Sequence, residues 1–285
     1  MIKNKLEEFV DDKVFDQIID YLQANNCTGV PFFKDNYLKR RIFLRALTLK
    51  FKNLDDYLDY LKNNKDEIKV FDDLITINVS YFFRNIETFN VLKEQIIPLI
   101  FQKKSKRGEK FLKILCIGCA SGEETYSLGI LLNEFFEKDI VFVKPYILGI
   151  DYDYNSIVQA RIGVYDEQKL EHVPANLLKY FEKLDNRKFI INNKIKKMVV
   201  FRHEDIFKSD IKKYWDIIFC RNMLIYLNLQ AQEELLKKMH GLCINDGYLV
   251  LGKSETLPSN SRKLFSAVHI KERIYKKRSD YESKS

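Results

Sequence analysis

The segment from Ile114 to Leu128, ILCIGCASGEETYSL, sets the strongest limit on what this chain can become. An apolar run from Leu112 to Ile117 stops at small residues. Two carboxylates follow, and an apolar helical pattern resumes through Tyr126, Leu128, Leu131 and Leu132. That order predicts a buried strand, a tight turn and a helix. Gly118, Ala120 and Gly122 occupy alternate positions of the turn, where small residues let the backbone bend sharply and approach a ligand closely. Two readings stay open on this stretch alone: a nucleoside-binding turn, or an ordinary βα corner with dipole-favoured acids in its first helical turn.

As a dinucleotide fingerprint the turn is poor, because its middle small residue is alanine and no third glycine follows. Glu123 and Glu124 would also repel a pyrophosphate docked at the helix start. They suit a ligand with a cationic end or free hydroxyls, such as the methionine and ribose portions of S-adenosylmethionine. Which of the two faces the ligand is open. Cys116 and Cys119 form a C-x-x-C, but no second ligand pair stands at zinc spacing. The odd count of 5 cysteines fits reduced, buried thiols, and no metal is expected.

The first 75 or so residues read as helical. Val14, Phe15, Ile18, Ile19 and Leu22 recur at helical spacing. A second helix through Tyr37, Leu38, Ile42 and Leu49 carries Lys39, Arg40, Arg41 and Arg45, and a third covers Leu54 to Leu61. The basic cluster is a solvated face or a docking surface for an acidic helix. Nucleic acid is the weaker partner, since no stacking aromatics interleave the arginines. Residues 76–85 show no clear period, Ile86 to Phe101 reads as a helix, and 103–110 as a loop.

After the opening turn, βα units alternate. Tyr146 to Ile150 is a strand ending at Asp151, where a doubly wound fold places the acid that bonds a ribose diol; helix capping is the competing role. From Tyr165 to Lys197 the rhythm breaks into short strands, predicting a small inserted sheet with an edge able to pair with a peptide. Met198 to Phe201 resumes the pattern, and Trp215 to Cys220 is a buried strand with Arg221-Asn222 at its carboxyl end, the edge where open α/β sheets bind ligands. A helix over Leu229 to Cys243, a strand over Tyr248 to Gly252 and a closing hairpin follow. Alternating βα units closed by a β-hairpin are the order expected of the S-adenosylmethionine-dependent methyltransferase version of the doubly wound sheet. With 285 residues, two domains fit. The net charge of +8 is spread along the chain, as on an ordinary solvated surface. The charged N-terminus is no signal peptide and no apolar run reaches the roughly 18–20 residues of a membrane span, so a soluble, cytoplasmic protein without membrane insertion is expected.

An ordered set of motifs carries a resemblance. It comprises Asn78-x-Ser80-x-x-Phe83-Arg84, Ser121-Gly122-Glu123-Glu124-x-Tyr126-Ser127, Asp151-x-Asp153 and Ala160-Arg161-x-Gly163-x-Tyr165. Cys220-Arg221-Asn222-x-Leu224-Ile225-Tyr226 and Gly252-x-Ser254-Glu255 complete it. Over nearly its whole length the chain resembles the chemotaxis receptor glutamate methyltransferases of the CheR family. The resemblance implies an α/β protein. A small all-helical N-terminal receptor-docking domain (1–75) would precede a Rossmann-like class I S-adenosylmethionine-dependent methyltransferase domain (76–285). In the latter, a linker at 76–90 would line the cofactor pocket, and a small antiparallel β-subdomain would be inserted at about 166–197. It further implies that Asn78, Ser80, Arg84, Gly118, Glu124, Asp151, Asp205, Ile206, Arg221 and Asn222 hold S-adenosyl-L-methionine, with S-adenosyl-L-homocysteine as product. Ser80 stands where threonine is usual and keeps the hydroxyl. Asp205-Ile206 replaces an Asn-Leu or Asp-Leu pair and keeps a polar contact for adenine.

The implied reaction is methyl transfer to receptor glutamates, giving methyl esters. Arg221 and Tyr226, with Arg84 from the linker, are expected to position the acceptor carboxylate. Lys39, Arg40, Arg41 and Arg45 would dock the acidic helical methylation region of a receptor, and the inserted sheet offers a place for a receptor C-terminal peptide. A monomer is the default. The alternative is a non-catalytic S-adenosylmethionine-binding signalling adaptor that uses the insertion to hold peptides. A nucleic-acid methyltransferase fits the charge but lacks an Asp/Asn-Pro-Pro-Tyr-like motif.

Overall fold

The structure is a computed structural model, and it describes residues 9, 11–27, 29–76, 79–184, 187–212 and 214–279. The chain divides into two compact units, Met1–Ile77 with Tyr226–Gln232, and Asn78–Ile225 with Glu233–Ser285.

The smaller unit is built on α1 (Asp12–Ala24), α2 (Asp35–Thr48), α3 (Leu54–Asn63) and α4 (Asp66–Leu74). Asp11 caps α1 by accepting from the N–H groups of Lys13 and Val14. The apolar stripe read from the sequence, Val14, Phe15, Ile18 and Leu22, is buried together with Leu38, Ile42, Tyr57, Leu61 and Phe71. Tyr226–Gln232 belongs to this unit. The carbonyl of Tyr226 accepts from the Lys34 N–H at 2.9 Å, and its ring lies 5.2 Å from that of Tyr37.

The larger unit carries a seven-stranded sheet in the order β6-β2-β1-β7-β8-β10-β9. Its strands are β1 (Phe111–Ile117), β2 (Lys144–Asp151), β6 (Val199–His203), β7 (Trp215–Cys220), β8 (Cys243–Leu251), β9 (Phe265–His269) and β10 (Ile274–Lys277). β6, β2, β1, β7 and β8 run parallel, and β10 pairs antiparallel with both β8 and β9. β7 is buried along its entire length, as a central strand covered on both faces must be. A second sheet, in the order β3-β5-β4, is made of β3 (Val164–Asp166), β4 (Phe181–Lys183) and β5 (Lys188–Ile191).

Helices α5 (Ile86–Val91) and α6 (Ile97–Arg107) are joined through a π-turn at Leu92–Ile96. Pro98 has no N–H to give the carbonyl of Glu94, which accounts for the widened turn. The loop expected at 103–110 is therefore mostly helix, and it ends only at Gly108, in the left-handed region at φ +67°. The helix persists because Lys104 is buried, with its ammonium 2.7 Å from both Glu109 and Asp216. A second difference lies at β8. It starts at Cys243, immediately after the helix Leu229–Leu242, and runs through Asn245-Asp246-Gly247 rather than beginning at Tyr248 as the sequence predicts. The irregular register between Trp215 and Ile217 absorbs the extra residues.

Candidate functional site

The site grows from the turn between β1 and helix α7 (Glu123–Phe135). Gly118, Ala120 and Gly122 all have positive φ, at +66°, +47° and +89°. For Gly122 the demand is also steric, since a Cβ there would lie 2.7 Å from the Phe201 ring. Ala120 is the unusual one, because an L residue with a Cβ adopts this conformation only when something holds it. Asp151, at the end of β2, does so. Its Oδ2 accepts from the Ala120 N–H at 2.7 Å while its Oδ1 accepts from the Asp153 N–H at 2.9 Å. An ionised carboxylate has about four lone-pair sites, so acceptor capacity remains for a diol. Burial raises the Asp151 carboxyl above its ordinary range, and the two N–H donors oppose that rise. Helix capping falls instead to Asp153, which accepts from the Asn155 N–H.

The two adjacent glutamates have different surroundings. Glu123 is fully buried and accepts from Ser121 Oγ and Lys169 Nζ, each at 2.8 Å. Lys169 also donates to the carbonyl of Ser80 at 2.6 Å, tying the linker to the helix start. Glu124 keeps 14% of its side chain exposed and pairs with Arg221. Burial raises its carboxyl, while Arg221 and Arg84 pull it down.

Arg221 organises the far wall. Its side chain is buried; besides Glu124 it donates to the carbonyl of Arg84 at 2.8 Å and to Asn85 Oδ1 at 2.6 Å. The backbone on each side of Arg84 is left-handed, with φ of +52° at Phe83 and +59° at Asn85. Such strain persists only where surrounding bonds hold it, here the Arg221 contacts and a bond from the Phe83 N–H to Ser127 Oγ at 2.9 Å. The Arg84 guanidinium donates to the Val79 carbonyl at 3.2 Å and lies over the Tyr81 ring. Arg221, expected to help position the acceptor carboxylate, has a buried guanidinium already bonded to three groups, with Nε left over.

Of the other expected residues, Asn78 lies outside the described residues. Asp205 accepts from the Phe207 N–H at 2.9 Å, and Ile206 beside it is buried. Asn222 is left-handed at φ +60°. Tyr226 belongs to the helical unit, as do the four basic residues of α2. Arg45 makes a two-pronged pair with buried Glu67, both bonds at 2.7 Å. Arg41 donates to Tyr37 Oη and to the Thr76 carbonyl, Lys39 pairs with Asp12, and Arg40 is exposed. Sequence reasoning assigned no role to Glu255, which stands in the Gly252-x-Ser254-Glu255 motif.

Whether the residues fit S-adenosylmethionine is tested by the polar atoms left over. Ser80 Oγ, Arg221 Nε and Asn222 Oδ1 are buried and have no partner among the described protein atoms. Polar atoms left over in this way have bonding capacity to offer a bound group. A ligand carrying an amine, a carboxylate and hydroxyls suits one hydroxyl, one donor and one acceptor. The residues fit.

Residues 78–274 match the family described as CheR methyltransferase, SAM binding domain, and residues 13–76 match CheR methyltransferase, all-alpha domain. The chain belongs to the CheR methyltransferase family. Among curated relatives, it is 33% identical over 215 residues to the "Chemotaxis protein methyltransferase" of Borreliella burgdorferi, covering 74% of this chain and 76% of that one. It is 30% identical over 230 residues to the protein of that name from Listeria innocua, covering 80% and 84%. Like other CheR proteins, this chain uses S-adenosylmethionine as its cofactor. Among the described residues no helix is long and apolar enough to cross a membrane.

Proposed function

We propose that this CheR protein methylates glutamate side chains of chemotaxis receptors, forming methyl esters. The observation that carries the reading is the cluster of Arg84, Glu124 and Arg221 beside the Ala120–Asp151 turn, with the unpartnered atoms of Ser80 and Asn222 in the same unit. In it, Asp151 takes the ribose hydroxyls, and Glu124 faces the cationic end of the cofactor. Asp205 and Ile206 flank the adenine, Gly118 allows close approach, and Ser80, Arg221 and Asn222 complete the polar lining.

S-adenosylmethionine supplies a methyl group already activated on a sulfonium. The acceptor carboxylate is ionised at neutral pH, so the protein has no proton to remove and needs no general base. Its work is alignment and the exclusion of water. Arg84 is the cation proposed for the acceptor: its guanidinium donates to the Val79 carbonyl and lies over the Tyr81 ring, and among the described residues no carboxylate forms a salt bridge with it.

Receptor docking falls mainly to Arg40, since Lys39, Arg41 and Arg45 have partners inside the helical unit. In the small sheet β3 and β4 form the edges, and an extended receptor peptide would pair there. The test is transfer of radiolabelled methyl to receptor-rich membranes, followed by mild alkali. Release of labelled methanol identifies esters. Label that withstands alkali, or no transfer, overturns the reading.

A further inference from the structure

The carboxylate of Glu255 lies 2% exposed behind the turn that follows β7. Its Oε2 accepts from the Asn222 N–H at 2.8 Å and from the Gly252 N–H at 2.6 Å, and the N–H groups of Leu224 and Ile225 also act on it. One buried anion thus gathers the donors of a short turn, the arrangement by which backbone nests hold an anion. The fit is close. A Cβ on Gly252 would stand 2.8 Å from Glu255 Oε2 and 2.9 Å from the Asn222 nitrogen, so only glycine admits the carboxylate at this depth.

The residue so gripped is Asn222, held at φ +60° with its side-chain Oδ1 buried and unpartnered. Asparagine adopts this region more readily than most residues but still needs local bonds to stay in it. Its neighbour Arg221 holds Glu124 and the linker carbonyl of Arg84. A swing of the turn would move both residues.

We propose that Glu255 is a positioning residue for cofactor binding. Its buried carboxylate locks the 221–225 turn, thereby aiming Asn222 into the cofactor pocket. This rests on the assignment of Asn222 to that pocket. Glu255 touches no reacting atom, and it acts only through the turn it holds.

A double-mutant cycle in the full chain tests it, reading affinity for S-adenosylhomocysteine by calorimetry and the split between kcat and KM for the cofactor. Glu255→Gln keeps the size and one accepting oxygen for the Asn222 and Gly252 N–H groups but removes the charge on which the turn's donors converge. It should weaken binding about tenfold, raising KM while leaving kcat at saturation within about threefold. Glu255→Asp keeps the charge on a shorter stem and should recover part of the loss. Asn222→Ala should weaken binding similarly, and adding Glu255→Gln to it should cost little more. Additive losses, or a folded Glu255→Gln protein with unchanged affinity while Asn222→Ala is impaired, would overturn the positioning role. Unchanged affinity in Asn222→Ala would instead remove the pocket assignment and the clamp with it. Where Glu255→Gln does not fold, the same cycle with Glu255→Asp decides.

Discussion

The Ala120 N–H donates to the Asp151 carboxylate at 2.7 Å, and it does so from a left-handed backbone at φ +47°. One hydrogen bond therefore shapes the cofactor turn and fixes the orientation of the acid at the end of the neighbouring strand. Asp151→Ala would release the turn and remove the acceptor for the ribose. Cofactor affinity should fall at least tenfold in calorimetry, the scale of a lost charge-assisted bond of roughly 1.5–3 kcal/mol. Unchanged affinity would refute the assignment.

Ala120→Gly makes a contrasting case. Glycine pays no steric penalty at positive φ, so the variant should be as stable as the parent or up to about 1 kcal/mol more so in denaturant titration, with cofactor binding intact. A clear loss of stability would mean that the methyl group packs in a way the turn geometry does not explain.

In the helical unit, Arg45 and Arg40 should behave oppositely. Removing Arg45 leaves the buried Glu67 carboxylate without its cation, and Arg45→Ala should destabilise the protein by about 3 kcal/mol. Arg40→Glu, on an exposed residue, should leave thermal stability and cofactor affinity unchanged while lowering methyl transfer to receptors. If Arg40→Glu protein methylates receptors normally, docking does not use this face.

The pH dependence has a definite sign. Burial holds Asp151 and Glu124 above the ordinary carboxylate range, so both gain protons at a higher pH than free side chains do. Cofactor affinity should therefore weaken on acidification, starting above the pKa of a free carboxylate, about 4. Asp151→Asn should flatten part of that limb. For folding without cofactor the sign is reversed. The raised folded-state value makes the Asp151 contribution complete below the ordinary aspartate pKa and lost as pH rises through the folded value. Comparing denaturation of parent and Asp151→Asn across this range checks it.

The sheet was legible because buried parallel strands read as apolar runs and the turns between them carry small or acidic residues, as at Gly118–Glu124 and at Asp151. The extension of α6 past Lys103 was not. A run rich in Lys reads as loop unless one knows that Lys104 meets Asp216, more than a hundred residues later. The same limit applied to the adjacent glutamates. Local spacing treats Glu123 and Glu124 alike, and only Lys169 and Arg221, from distant segments, separate them. Arg45 looked like a docking charge because its partner Glu67 lies on another helix. Glu255 went unread for a related reason: its partners are backbone N–H groups, which leave no mark in a sequence.

The position of β10 has a kinetic consequence. Ile274–Lys277 is not an edge but fills the place between β8 and β9. While the chain is being synthesised, the outer flank of β8 stays unpaired, and β9 has no sheet to join until residue 277 has emerged. The cofactor turn, made more than a hundred and fifty residues earlier, waits in a sheet whose far side is still open. An interrupted chain would present that bare β8 flank to its neighbours, where strands add most readily.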